Sequence, residues 1–142
     1  MGQSQVRNYV HLVFSTRNRA PLIRKELRKK LFGYIYSIIE KSNCKPLCIN
    51  GVADHVHILF GLGQTMALCD LVMLVKTSSS RWVKSQSADL ACFAWQHGYG
   101  AYSVSPTNLC KVRRYIDNQE QHHRNSTAEQ ELAWFDSLDM PI

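Results

Sequence analysis

Asp54-His55-Val56-His57-Ile58-Leu59-Phe60 alternates strictly over seven residues, the pattern of a β-strand with two unlike faces. Val56, Ile58 and Phe60 project one way; His55, His57 and Leu59 project the other. The all-apolar face belongs to a core, so both imidazoles lie on the opposite face. Residues two apart on a strand are about 6.5–7 Å apart at the backbone. Two imidazoles converging from there can grip one divalent ion or one phosphate. An isolated H-x-H is more often a pair of half-exposed strand histidines, so the remaining residues have to decide between the readings.

Working outward, Lys45–Asn50 reads as a short strand, and Gly51 to Asp54 turns it into the histidine strand as an antiparallel hairpin. Upstream, Asn8–Thr16 alternates, with Val10, Leu12 and Phe14 on one face and Tyr9, His11 and Val13 on the other. Whether His11 lines a site or only packs is open at this level. Arg17, Asn18, Arg19 and Pro21 make a basic loop, and Ile23 to about Lys41 has the apolar stripe of a helix. Downstream, Thr65 is expected to cap a second helix through Leu68, Leu71, Val72 and Val75 toward Lys84. Phe93–Ser105 reads as a final strand or a bent strand pair, broken near Gly98 and Gly100. Thr107 is expected to cap a third helix from Asn108 to about His123, and Ser126 with Glu129 forms a capping box opening a last one. The order β-α-β-β-α-β-α-α predicts an α+β fold: one domain over residues 1–142, with a ferredoxin-like antiparallel sheet and helices packed on one face.

At 142 residues, such a chain buries about two-thirds of its unfolded surface and needs neither disulfides nor a structural metal. Its five cysteines, Cys44, Cys48, Cys69, Cys92 and Cys110, form no zinc-knuckle spacing and read as reduced thiols of a cytoplasmic protein. No apolar run is long enough to span a bilayer, so no membrane partner is expected. Net charge is +6, and it is uneven: residues 1–62 carry ten Lys/Arg against three Asp/Glu. A basic half suggests a polyanion on one side of the molecule, although a solvated helix face explains the charge equally well.

Candidate phosphate contacts are Arg17, Arg19, the cluster Arg24–Lys30 including Arg28, and Lys76, Arg81 and Lys84 beside the hydroxyls of Thr77–Ser80. The cations of Arg24–Lys30 crowd the first turns of a helix, where they oppose its dipole. Tyr9, Trp95, Tyr99 and Tyr102 could stack on unpaired bases, with about half of such aromatics expected in the core instead. On the third helix Tyr115 and Gln119, four apart, share a face at the flank of the stripe Leu109, Val112, Ile116. If that helix meets the histidine strand, His55, His57 and the Gln119 carbonyl oxygen make a three-ligand site with open positions. Tyr115 would then be a nucleophile toward phosphorus, needing a base or positive charge such as Arg113 or Arg114, because a phenol is ordinarily protonated at neutral pH.

Four blocks in order carry a resemblance: His11–Arg19 (HLVFSTRNR), Asp54–Leu59 (DHVHIL), Gly98–Val104 (GYGAYSV), and Tyr115–Gln119 (YIDNQ) followed by His122-His123. The sequence resembles the HUH-type, single-tyrosine transposases that move insertion sequences as single strands, including relatives associated with repetitive extragenic palindromes. That resemblance implies His55 and His57 as metal ligands with Gln119, Tyr115 as the nucleophile, and Mg²⁺ or Mn²⁺ as the ion, although two imidazoles alone would favour a softer metal. It also implies cutting and rejoining of single-stranded DNA near hairpins through a covalent 5′-phosphotyrosine. A homodimer is implied too, in which the active sites can be shared between subunits.

Two other readings stand beside it. A domesticated, non-catalytic module would bind single-stranded DNA or RNA in a salt-sensitive way and yield no product. A phosphoesterase using water as nucleophile would leave Tyr115 dispensable, and no acidic residue is placed as its further ligand.

Overall fold

Strand alternation builds one four-stranded sheet from β1 (Tyr9–Ser15), β2 (Lys45–Gly51), β3 (His55–Gly61) and β4 (Gly100–Val104). Its order is β2-β3-β1-β4, and each neighbouring pair is antiparallel. The structure is a computed structural model and describes residues 3–119. Three helices accompany the sheet: α1 (Lys25–Lys41), α2 (Leu68–Gln86) and α3 (Leu109–Asp117). This is the α+β, ferredoxin-like sheet expected from the element order; the expectation that the helices pack on one face is corrected, because α3 covers the opposite face from α1 and α2.

The two sheet faces are covered differently. α1 and α2 bury Leu31, Ile35, Leu71 and Val75 against Val10, Leu12, Phe14, Val56, Ile58 and Phe60. α3 lies on the other face, where Ile116 packs against Leu59 and Val104 with Leu47 and Val112 alongside. Leu59 is the reason: it is the one apolar side chain of β3 on the histidine face. Burying such a side chain contributes about 1.5–3 kcal/mol, which favours a third helix there. Among the described residues, no helix is long and apolar enough to cross a membrane.

Several boundaries differ from expectation. Thr65 does not cap α2: a turn from Gly63 O to Met66 N carries the chain past it, and the helix begins after Ala67 with no side-chain cap. Thr107 does not cap α3 either. Pro106 presets a 3-10 turn over Pro106–Asn108, and the Thr107 hydroxyl meets that of Ser105 instead, at 3.1 Å. The stretch Phe93–Ser105 splits into an isolated bridge between Trp95 and Thr16 and the strand β4, separated at Gly98, whose φ of 86° is left-handed. α1 starts two residues after Ile23, which is taken up by a bond from its N–H to Ala53 O, at 2.9 Å. The expected end of the third helix at His123 and the capping box at Ser126 lie outside the described residues.

Candidate active site and nucleic-acid surface

Register places the histidines. Val13 pairs with His57 and His11 with Leu59, so His11 and His57 are diagonal neighbours on one face of the sheet. Nε2 of His11 lies 2.8 Å from Nδ1 of His57, with the rings stacked at 5.0 Å between centroids. His55 is held in the same manner from its own chain neighbour: its Nδ1 lies 2.8 Å from Oδ1 of Asp54. The His55 and His57 rings stand edge to face, 5.2 Å apart, and all three histidines are buried. An imidazole engaged through Nδ1 has Nε2 on the far side of its ring as the coordinating nitrogen.

α3 brings the tyrosine to this pair. The Tyr115 ring is half-buried and stands edge-on to His57 of the same chain, 5.9 Å between centroids. Asn50, the register partner of His57 on β2, donates from Nδ2 to the carbonyls of Ile116 at 2.9 Å and Asp117 at 3.2 Å. It thereby ties the C-terminal end of α3 to the edge strand beside the histidines. Gln119 follows one turn beyond Tyr115 and is fully buried; its Nε2 donates to Tyr115 O at 3.3 Å. Its Oε1 is buried with no hydrogen-bond partner among the described residues. Among those residues no three His, Cys, Asp or Glu side chains gather as a metal site, so an ion bound at the two imidazoles would draw on an amide oxygen such as this one.

The expected phosphate contacts scatter. Arg17 and Arg19 sit just past β1, whose last residue, Ser15, pairs with His55, so they flank the histidine end of the sheet. Arg28 lines an open groove of about 320 Å³ with Lys25, Lys29, Phe32, Asn50 and Gly51. That groove shares Asn50 with the α3 docking contact. Gly51 also lines it, and a Cβ at that position would lie 2.3 Å from His55 O, so a side chain does not fit there. Arg81 and Lys84 are exposed on α2, across the sheet from the histidines. Lys76 is engaged within the fold: Nζ donates to the carbonyls of Gln96 at 2.7 Å and Gly98 at 2.8 Å, and burial pushes its pKa down.

Two expectations about this surface are corrected. Ser79 does not belong to a hydroxyl surface; it is buried and accepts from Trp95 Nε1 at 2.9 Å. Trp95 is accordingly core, edge-on to Phe14 and Phe93, and cannot stack on bases. Tyr99 remains exposed, while Tyr9 is half-buried against the Leu59 cluster. The contacts made by Asn50 and Asp54 went unread in the sequence. Asp54 had a local signal, an acid directly before a strand histidine; Asn50 had none, because its partners are more than sixty residues away.

The family description "Transposase IS200 like" matches residues 4–119 of the sequence. Transposases of the insertion sequence element IS200 from Salmonella typhimurium and Salmonella typhi are each 26% identical over 114 residues, covering 77% of this chain and 74% of theirs. Among solved structures, a candidate transposase of Deinococcus radiodurans superposes with a TM-score of 0.65 at 22% identity, over 84% of this chain and 96% of that one. A REP-associated tyrosine transposase bound to a REP hairpin superposes with a TM-score of 0.56 at 13% identity, over 82% of this chain and 69% of that one. The two structures speak for the fold, and the family match over most of the sequence speaks for kinship: the chain belongs to the IS200-like transposase family, DNA-cleaving enzymes of mobile elements.

Proposed function

We propose that this transposase cuts and rejoins single-stranded DNA at hairpin-flanked ends through a covalent 5′-phosphotyrosine on Tyr115. The observation that carries the reading is the Tyr115 ring standing against His57 within one chain, 5.9 Å between centroids. In the first step Tyr115 Oη attacks the scissile phosphorus. A phosphorus–oxygen bond to tyrosine forms and the bond to the 3′ oxygen breaks. The 3′ oxygen leaves as a hydroxyl, and the phenolic proton passes to solvent or a base. A 3′-hydroxyl attacking the phosphotyrosine reverses these bonds and restores the phenol, so no nucleotide cofactor is needed.

His55 Nε2, His57 Nε2 and Gln119 Oε1 would hold Mg²⁺ or Mn²⁺. The donor set fits: both imidazoles are steadied through their other ring nitrogen, and the amide oxygen is buried with no hydrogen-bond partner among the described residues. Such an ion, when bound, polarises the scissile phosphate and offsets the charge that develops on attack. Arg113 and Arg114, beside Tyr115 in sequence, supply positive charge for the phenolate. Arg17, Arg19 and the Lys25–Arg28–Lys29 groove lead the strand toward the histidine end. The hairpin held by the REP-associated relative supports a hairpin as the substrate form here too. We place residues 1–142 in one transposase domain that works as a homodimer, which sedimentation of the purified protein would test.

A labelled single-stranded hairpin from the flanking genomic DNA, incubated with the protein and Mg²⁺ or Mn²⁺ and run on a denaturing gel, tests the chemistry. A metal-dependent covalent band that disappears in Tyr115→Phe is the expected result. Binding without any adduct overturns it in favour of a non-catalytic DNA-binding module.

A further inference from the structure

We propose that His11 is a positioning residue for His57. In this role His11 Nε2 accepts a hydrogen bond from His57 Nδ1–H, which holds His57 as the tautomer whose Nε2 lone pair faces the metal site. The inference rests on the metal-site reading above, and it concerns a residue that the four-residue site of His55, His57, Tyr115 and Gln119 leaves out.

The geometry is specific. His11 is fully buried in β1, at the centre of the sheet, on the face that carries the site. A histidine there is an uncommon choice where an apolar residue would pack without polar atoms to satisfy. Its Nε2 lies 2.8 Å from His57 Nδ1, an ordinary hydrogen-bond length. Two neutral imidazoles joined nitrogen to nitrogen share one proton between them, so one ring donates and the other accepts. If His57 donates, its Nε2 carries the lone pair and can ligate; if His57 accepts, Nε2 carries a hydrogen and cannot. A ligand histidine therefore requires His11 to act as the acceptor.

His11 is also confined from its other side. Tyr102 is its register partner on β4, and the rings are tilted at 6.1 Å between centroids. The stacked His11 ring and the edge-on Tyr115 ring are both in contact with His57, so its rotation is limited by the sheet as well as by the hydrogen bond. Asp54 does for His55 what His11 does for His57, but as a carboxylate it can only accept when ionised, so the direction of that bond is fixed by charge. His11, as an imidazole, can stand on either side of its bond to His57, which makes its tautomer the deciding quantity.

The first test needs neither metal nor DNA. In wild-type protein labelled with ¹⁵N-histidine, long-range ¹H–¹⁵N correlations report the tautomer of His57 at a pH where it is neutral. Nδ1–H on His57 is expected; Nε2–H overturns the proposal even if DNA cleavage proves correct. The second test is Mn²⁺ binding, read by the electron paramagnetic resonance of the free ion. His11→Phe should weaken binding by roughly 10- to 100-fold, the usual effect of losing an outer partner of a ligand histidine. His11→Gln, whose side-chain carbonyl can accept the same bond, should recover most of it. Both variants are checked for folding by circular dichroism. Should His11→Phe fail to fold, the wild-type tautomer and the His11→Gln comparison still decide. Mn²⁺ affinity in folded His11→Phe within twofold of wild type overturns the proposal. Absence of Mn²⁺ binding in wild type together with Nδ1–H on His57 would instead sink the metal-site reading, and with it the role in ligation, while confirming the hydrogen-bond direction.

Discussion

Cys48 shows how one residue reports on the packing of the candidate site. Its thiol lies partly under α3; burial, and then the Asp117 carboxylate, push its pKa from 9.0 up to about 11, while Arg113 pulls slightly the other way. The thiol is thus protonated in the folded protein where it would already ionise in the unfolded chain. Because the folded-state pKa is the higher one, this contribution to stability is complete below pH 9 and is lost as pH rises toward 11. Cys69, Cys92 and Cys110 are exposed and free. At pH 8.5 alkylation followed by mass spectrometry should modify those three well before Cys48. Equal rates would mean that α3 does not cover β2 in solution. The same contrast between position and surroundings applies to the histidines. Their place on one face was legible from alternation, but which nitrogen of each ring is engaged depends on Asp54 and on a strand more than forty residues away.

At the scale of elements, the docking of α3 is the decisive event, and Asn50 is its clearest polar contact. Asn50 donates to two carbonyls at the end of the helix while its own Oδ1 accepts from Gly51 N at 2.9 Å. Asn50→Leu keeps a side chain of similar size but leaves those carbonyls without this donor. The expected cost is about 1–3 kcal/mol in denaturant unfolding. Covalent-adduct formation should fall more than DNA binding, because the tyrosine helix would be less firmly placed. An adduct rate and stability equal to wild type would show that apolar packing of Ile116 alone places the helix. Lys76 is the comparable clamp for the segment before β4. Lys76→Met removes two hydrogen bonds to Gln96 and Gly98 carbonyls, and amide exchange should rise in residues 96–100 and not in the central strands. The pattern of helices was readable from apolar periodicity, but their starts were not. Thr65 and Thr107 are good capping residues by type, yet a turn at Gly63 and a proline at 106 moved the helix starts past them.

Across the whole molecule, basic charge divides between two helices of one sheet face. The groove lined by Lys25, Arg28 and Lys29 of α1 reaches Asn50 on the edge strand, which also contacts α3, whereas Arg81 and Lys84 lie on α2. DNA binding through the groove predicts that the triple variant Lys25→Gln, Arg28→Gln, Lys29→Gln lowers affinity and flattens its dependence on salt, by about one unit of log–log slope for each phosphate that is no longer neutralised. Arg81→Gln with Lys84→Gln should leave both nearly unchanged. Fluorescence anisotropy over a salt series measures each, and the reverse ranking would put the DNA on the α2 side.

By itself the sequence determined what is local or periodic. Alternation assigned His55 and His57 to one face of a strand, apolar spacing named the helices, and the order of elements specified a ferredoxin-like sheet, because both signals are carried by residues two to four positions apart. Four short blocks in order also sufficed for the family, since motif residues are read without knowing where they lie in space. The tertiary structure alone decided that α3 crosses to the histidine face, that Tyr115 meets His57 of its own chain, that His11 bonds His57 and Asn50 holds the end of α3, that Trp95 and Ser79 are buried, and that Lys76 clamps the segment before β4. Those outcomes depend on pairings between segments tens of residues apart, where register and burial, rather than residue type, choose the partner.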